Sequence, residues 1–112
     1  LLMETNMPFV LLTSSSDIEM ILGDLWMFNP KVNGSFAKEL KQHFVKLHKE
    51  GTINIIVDNL LDENHWDRTL KIDIKDLSVY GAVKLIIEPL MVHAKYDTIR
   101  MLSNNVIEFW WD

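Results

Sequence analysis

The chain has 112 residues, of which 48% are hydrophobic and 24% charged, and it contains no cysteine; this predicts one globular domain and excludes disulfides, thiolate metal sites and a cysteine nucleophile. Its net charge of −5 disfavours nucleic-acid binding, which depends on lysine and arginine, and favours a basic protein as partner. No apolar run approaches the roughly 20 residues that span a bilayer, so no membrane segment is expected.

The N-terminal part is expected to form a strand and a helix. The apolar run 9–13 is rich in valine, leucine and phenylalanine, as a buried strand is. Ser16 and Glu19 have the spacing of a capping box, so a helix should follow and end at 29–30, where proline disfavours a further helical turn. The same stretch carries Glu4 and lacks a basic leading region, so we expect no signal peptide and take the cytoplasm as the default location.

Segment 36–50 has the strongest helical pattern of the chain. Its apolar face consists of residues at spacings of four, four and three, namely Phe36, Leu40, Phe44 and Leu47. Ser35 should cap the start and Gly51 should end the helix in a left-handed conformation. The stretch 29–35 before it is predicted to be a turn, by its composition. Segment 36–50 carries four lysines against two glutamates, which we interpret as a solvated helix face.

The second half is predicted to contain four strands and one helix. The first predicted strand, 52–58, is nearly apolar on both faces, and the second, 69–77, alternates apolar and polar residues. The third, 81–89, is closed by a proline, and the fourth is 106–112. Helical spacing favours a helix over 91–103. The predicted order is β-α-α-β-β-β-α-β. The expected fold class is a single α+β domain over 1–112, with a mixed, mostly antiparallel sheet of four to five strands packed by about three helices.

The stretch LLDENHWDR, residues 60–68, surrounds one tryptophan with charge. Its members are Asp62, Glu63, His65, Trp66, Asp67 and Arg68. The spacing lacks the glycine of an EF-hand calcium loop, which argues against a metal site. Two interpretations stay open: a solvated loop between strands, or a docking surface in which Trp66 is an anchor with a charged rim.

Other motifs for chemistry are missing from the sequence. There is no G-x-S-x-G elbow and no glycine-rich phosphate loop. His43 and His48 are five residues apart, about 140° around a helix, so they do not form a zinc pair. We therefore predict no cofactor, no metal and no enzymatic activity.

The C-terminal stretch VIEFWWD has bulky residues on both faces of a strand. Val106, Glu108 and Trp110 share one face, and the other face carries Ile107, Phe109 and Trp111. One face can enter the core. The other needs cover from a helix, a loop or another molecule, so internal cover and an interface remain equal alternatives.

Size, acidity and the lack of catalytic motifs together favour a small acidic binding or inhibitor protein. The leading hypothesis is an immunity protein that neutralises a basic, nuclease-type toxin domain by direct binding. The predicted contact residues are Asp58, Asp62, Glu63, His65, Trp66, Asp67, Arg68, Asp73, Asp76, Trp110 and Trp111. The first alternative is a phage-type or homo-oligomeric structural or adaptor protein whose C-terminal aromatic strand pairs with a second copy. The second alternative is a small enzyme with a carboxylate and histidine site.

Overall fold

A computed structural model describes residues 10–11, 15–57, 68–103 and 105–112. In these ranges the chain is an α+β domain with an antiparallel sheet, which confirms the predicted fold class. None of the helices in these ranges has the length and hydrophobicity needed to cross a bilayer.

The described secondary structure comprises five strands and four helical segments. The strands are β1 (Val10–Leu11), β2 (Ile53–Val57), β3 (Thr69–Ile74), β4 (Thr98–Met101) and β5 (Val106–Trp110). The helices are α1 (Ser15–Asp24), α2 (Pro30–Asn33), α3 (Phe36–Lys49) and α4, the helical segment 79–94. A 3-10 turn, Trp26–Phe28, follows α1. Helix α4 opens with Val79–Ala82 and contains two π-helical stretches, Val83–Ile87 and Leu90–Ala94.

The strands are arranged in the order β1-β2-β3-β5-β4, and every neighbouring pair is antiparallel. Ile72 of β3 is opposite Ile55 of β2 on one side and Ile107 of β5 on the other. Strand β5 is therefore an interior strand. The alternative in which the C-terminal strand pairs edge to edge with a second copy does not fit this arrangement, because β3 and β4 already pair with both of its edges.

The helices pack on one face of the sheet. Strand residues in the core are Ile53, Ile55, Leu70, Ile72, Ile107 and Phe109, with Trp111 just beyond β5. Helix residues that join them include Ile18, Leu22, Leu40, Phe44, Ile86 and Leu90. The alternation predicted for VIEFWWD is confirmed, since the face with Phe109 enters the core and the face with Trp110 stays partly exposed.

Helix α3 matches its predicted bounds closely, but the side chain of Ser35 makes no capping hydrogen bond, and the region before the helix differs from its prediction. Gly51 has φ 76°, as a left-handed helix end requires. Phe36, expected on the buried face, is 54% exposed. The predicted turn contains α2, because the Asn29 side chain accepts the Lys31 N–H at 2.9 Å and Pro30 suits a first helical position.

The ends of helix α1 also differ from those that the sequence predicts. Ser16 lies inside α1, which begins at Ser15, and the helix ends at Asp24, before the 3-10 turn.

The region 79–103 corrects two predictions. Segment 81–89 is helical instead of a strand, with the Ser78 side chain accepting the Gly81 N–H at 3.0 Å at its start. The predicted helix 91–103 ends at Ala94, since Lys95 adopts a left-handed conformation, and β4 follows. The observed order is β-α-α-α-β-β-α-β-β.

Candidate protein-binding surface

The face of the sheet opposite the helices carries the candidate binding surface. Alternate residues of three strands point to this face, namely Lys71, Asp73, Thr98, Arg100, Val106, Glu108 and Trp110. The other alternate set of β3 and β5 packs toward the core, and the side chains of this face are half-buried or exposed.

Trp110 is the large aromatic side chain of this face. It is 36% exposed and lies opposite Thr69 on one side and Thr98 on the other. A shallow cleft of about 350 Å³ is lined by Thr98, Arg100, Glu108 and Trp110. We call these four residues the Trp110 surface. An exposed tryptophan with polar neighbours has the anatomy of a binding hot spot.

Arg100 and Glu108 form an ion pair beside Trp110. Nε and Nη2 of Arg100 donate to Oε1 of Glu108 at 2.8 and 2.6 Å. The Arg100 side chain is 62% exposed and that of Glu108 14% exposed. An exposed pair of this kind adds little to stability. It does hold both side chains in place as a polar rim for the tryptophan.

Arg68, a predicted contact residue, lies at the same end of the sheet. Its guanidinium carbon is 5.0 Å from the centre of the Trp26 ring, a cation–π contact. Its carbonyl accepts the Trp111 N–H at 2.9 Å. Arg68 is half-buried, and its guanidinium packs on Trp26, on the helix side of the sheet and not on the face that carries Trp110.

Asp73 and Asp76, also predicted contacts, lie at the opposite end of the sheet. Asp73 forms an ion pair with Lys75 at 3.0 Å, and Asp76 is exposed. From Thr69 to Asp73 the strand extends about 13 Å. The structure therefore does not bring these two carboxylates together with Trp110.

Trp111 corrects a further prediction, because it faces the core. It is fully buried, and its Nε1–H donates to the Ala94 carbonyl at 2.7 Å. Its ring also lies edge-on to Tyr96, with centroids 6.5 Å apart. Neighbouring residues of an extended chain turn to opposite sides, so Trp110 and Trp111 cannot both be contact residues.

Six predicted contact residues lie outside the described residues. They are Asp58, Asp62, Glu63, His65, Trp66 and Asp67. They belong to the connection between β2 and β3, segment 58–67, which has four acidic residues and no lysine or arginine. The flanking residues Val57 and Arg68 are at the Trp110 end of the sheet. The roles of these six residues stay predictions.

Sequence reasoning missed Thr98 and Arg100. Both fall in the segment that was predicted to be helical. The stretch Thr98–Met101 does alternate polar and apolar residues, which is a strand signal, although a short one. Glu108 was placed correctly on the face of Trp110, but its ion pair depends on the distant strand β4.

A second cleft, between α3 and α4, bears on the hypothesis of a small enzyme. It measures about 330 Å³ and is lined by Phe36, Glu39, Leu40, His43, Pro89 and His93. Nε2 of His43 donates to the Leu85 carbonyl at 2.7 Å, and the His93 ring is 5.2 Å from that of Phe36. Among the described residues, no three histidine or acidic side chains are arranged to hold a metal ion.

His48 does not line this cleft, although it lies on the same helix as His43. Burial lowers the pKa of His48, and its Nδ1 is buried without a hydrogen-bond partner. Its neutral form is therefore favoured at pH 7, and it acts as a packed side chain of the α3 end.

Known proteins give no identification. Comparison with protein-family models, curated proteins and solved structures finds no match for this chain. Function therefore has to be inferred from the surfaces that the fold presents.

Proposed function

We propose that the protein acts by binding another protein through the Trp110 surface. The observation that supports this is the exposed Trp110 beside the Arg100–Glu108 pair, on the sheet face opposite the helices. Trp110 is carried by an interior strand, so little ordering is needed when a partner binds. The surrounding polar side chains suit the rim that excludes water from such an anchor.

We propose further that the partner is basic. Val57 and Arg68, which flank the acidic connection 58–67 in the sequence, lie at the Trp110 end of the sheet. Asp97 and Asp112 lie there too, with the Asp112 N–H donating to Oδ2 of Asp97 at 2.6 Å. In its finer form the proposal is an immunity protein that neutralises a nuclease-type toxin domain, whose substrate site is basic because the substrate is anionic.

The cleft between α3 and α4 favours a small enzyme as the second candidate. It combines His93 with Glu39, an imidazole and a carboxylate that suit acid and base roles. His43 is already hydrogen-bonded to the Leu85 carbonyl of α4, which leaves His93 and Glu39 as the groups of this cleft for acid and base roles. The enzyme is therefore the second candidate.

The test is capture of a basic partner from the native host, followed by affinity measurement with purified variants. Trp110→Ala should weaken binding by roughly thirtyfold, the loss typical of a hot-spot residue. Phe36→Ala is the matched control, because Phe36 is an exposed aromatic residue on α3. Equal affinities of the two variants would contradict the Trp110 surface, and a partner whose activity persists in the complex would contradict the inhibitor form.

A further inference from the structure

The outer edge of β4 pairs with no strand in the described part of the chain. Strand β4 ends the sheet, and β5 is the one described strand that pairs with it. All four of its residues are exposed, including Ile99 at 39% and Met101 at 61%. An exposed edge strand with apolar side chains is a template on which a further strand can form.

The backbone groups of β4 alternate between its two edges. The Leu102 N–H donates to the Val106 carbonyl at 2.9 Å, which sets the hydrogen-bonding phase of the pair. In an antiparallel ladder the groups of Thr98 and Arg100 then turn toward β5, and those of Ile99 and Met101 turn toward the open edge. Two residues of β4 thus present an N–H and a carbonyl to an incoming extended segment.

A row of alternating charge crosses the sheet and stops at this edge. Lys71 of β3 is opposite Glu108 of β5, which is opposite Arg100 of β4. The Arg100 side chain bonds to Glu108 and remains 62% exposed. Opposite charges on facing strand residues are favourable. The position opposite Arg100 on an added strand therefore suits an aspartate or glutamate.

The other side of the same edge is apolar. A groove of about 220 Å³ reaches Met101 on the helix side of the sheet. Its apolar lining includes Leu77, Val79, Val83, Ile87, Met101 and Ile107. On an added strand, the neighbours of the acidic residue would turn to this side, where apolar side chains are favoured. The inner edge of β4 already binds a segment of this pattern, Ile107–Phe109, with Glu108 between two apolar residues.

We propose that the outer edge of β4 binds an extended segment of a partner protein by strand addition. The segment carries an acidic residue opposite Arg100 and apolar residues on both sides of it. The proposal concerns the backbone edge and does not depend on Trp110 contacting a partner.

A second copy of β4 fits this edge less well. When two copies of β4 pair in antiparallel fashion and the backbone groups of Ile99 and Met101 all form hydrogen bonds, Ile99 of each copy is opposite Met101 of the other. Arg100 then faces Arg100, and like charges directly opposite each other are destabilising. The occupant is therefore a segment of another protein.

The experiment is a titration of the isotope-labelled chain with two peptides, followed by amide NMR. The probes are acetyl-TVEVT-amide and its matched control acetyl-TVKVT-amide. The glutamate peptide should shift the amides of Ile99 and Met101 and slow their hydrogen exchange. The lysine peptide should bind at least about threefold more weakly, the difference expected from one facing pair of charges.

Two variants separate the charge from the backbone. Arg100→Gln should remove the preference for the glutamate peptide. Met101→Pro should abolish binding, because proline removes an N–H that faces the outer edge and spares the hydrogen bonds to β5. If this variant does not fold, the peptide preference of Arg100→Gln is the test of the proposal. Unshifted amides, equal binding of both peptides, a preference that survives Arg100→Gln, or a dimer with these amides protected in the absence of peptide would overturn the proposal.

Discussion

At the scale of single residues, a histidine compensates for an internal proline. Pro89 lies inside α4 and has no N–H, so the Leu85 carbonyl, four residues earlier, lacks the amide donor of a regular helix. Nε2 of His43, on α3, donates to that carbonyl at 2.7 Å. His43 therefore links α3 to α4 where the proline interrupts the hydrogen bonds of the helix.

This link makes a prediction about stability. His43→Ala should lower the free energy of unfolding by about 1 kcal/mol, because it removes the part-buried hydrogen bond from α3 to the Leu85 carbonyl of α4. In a Pro89→Ala background the same change should cost less, since residue 89 then has an N–H of its own. Chemical denaturation of the four chains in this double-mutant cycle measures the difference. Equal costs in both backgrounds would rule out the compensation.

At the scale of elements, the hydrophobic periodicity of a segment predicted some helices and strands correctly and was ambiguous for others. Helix α3 and strand β3 have long, unambiguous periods, and both were predicted. The apolar run 81–89 is short and fits either a strand or a helix. The buried stripe of α4 has spacings of four residues and continues past Pro89, whereas the sequence pattern predicts the end of a strand there. Its members are Ala82, Ile86, Leu90 and Ala94.

Local sequence pattern also predicted only part of the candidate binding surface. Alternation along β5 placed Trp110 and Glu108 on one face, as observed. Alternation does not say which face enters the core, so Trp111 was wrongly included among the contacts. Arg100 was not predicted because its position depends on the pairing of β4 with β5, which neither segment specifies alone.

The interior position of β5 has a consequence for truncation. Deleting residues 106–112 should abolish cooperative thermal unfolding, because it removes three core side chains and separates β3 from β4. Trp110→Ala is the matched control and should keep a cooperative transition, since Trp110 lies on the open face. Circular dichroism during heating measures both. A truncated chain that still unfolds cooperatively would contradict the placement of β5.

At the scale of the whole molecule, the charge is distributed unevenly. Segment 36–50 carries four lysines against two glutamates and includes α3 on the helix side of the sheet. The described residues that flank the acidic connection 58–67, Val57 and Arg68, lie at the Trp110 end of the sheet. A basic partner is therefore expected to be attracted most strongly at the end of the sheet that carries the proposed binding surface.

This asymmetry predicts how fast a basic partner associates. The combined change Asp62→Lys and Asp67→Lys should slow association by about tenfold or more at low salt, because it reverses two charges of the acidic connection 58–67. Glu39→Lys with Glu50→Lys alters the net charge equally on the helix side and should slow association less. Stopped-flow mixing with the captured partner at two salt concentrations measures both effects. Equal slowing by the two pairs would mean that only net charge matters, and rates insensitive to salt would exclude electrostatic steering altogether.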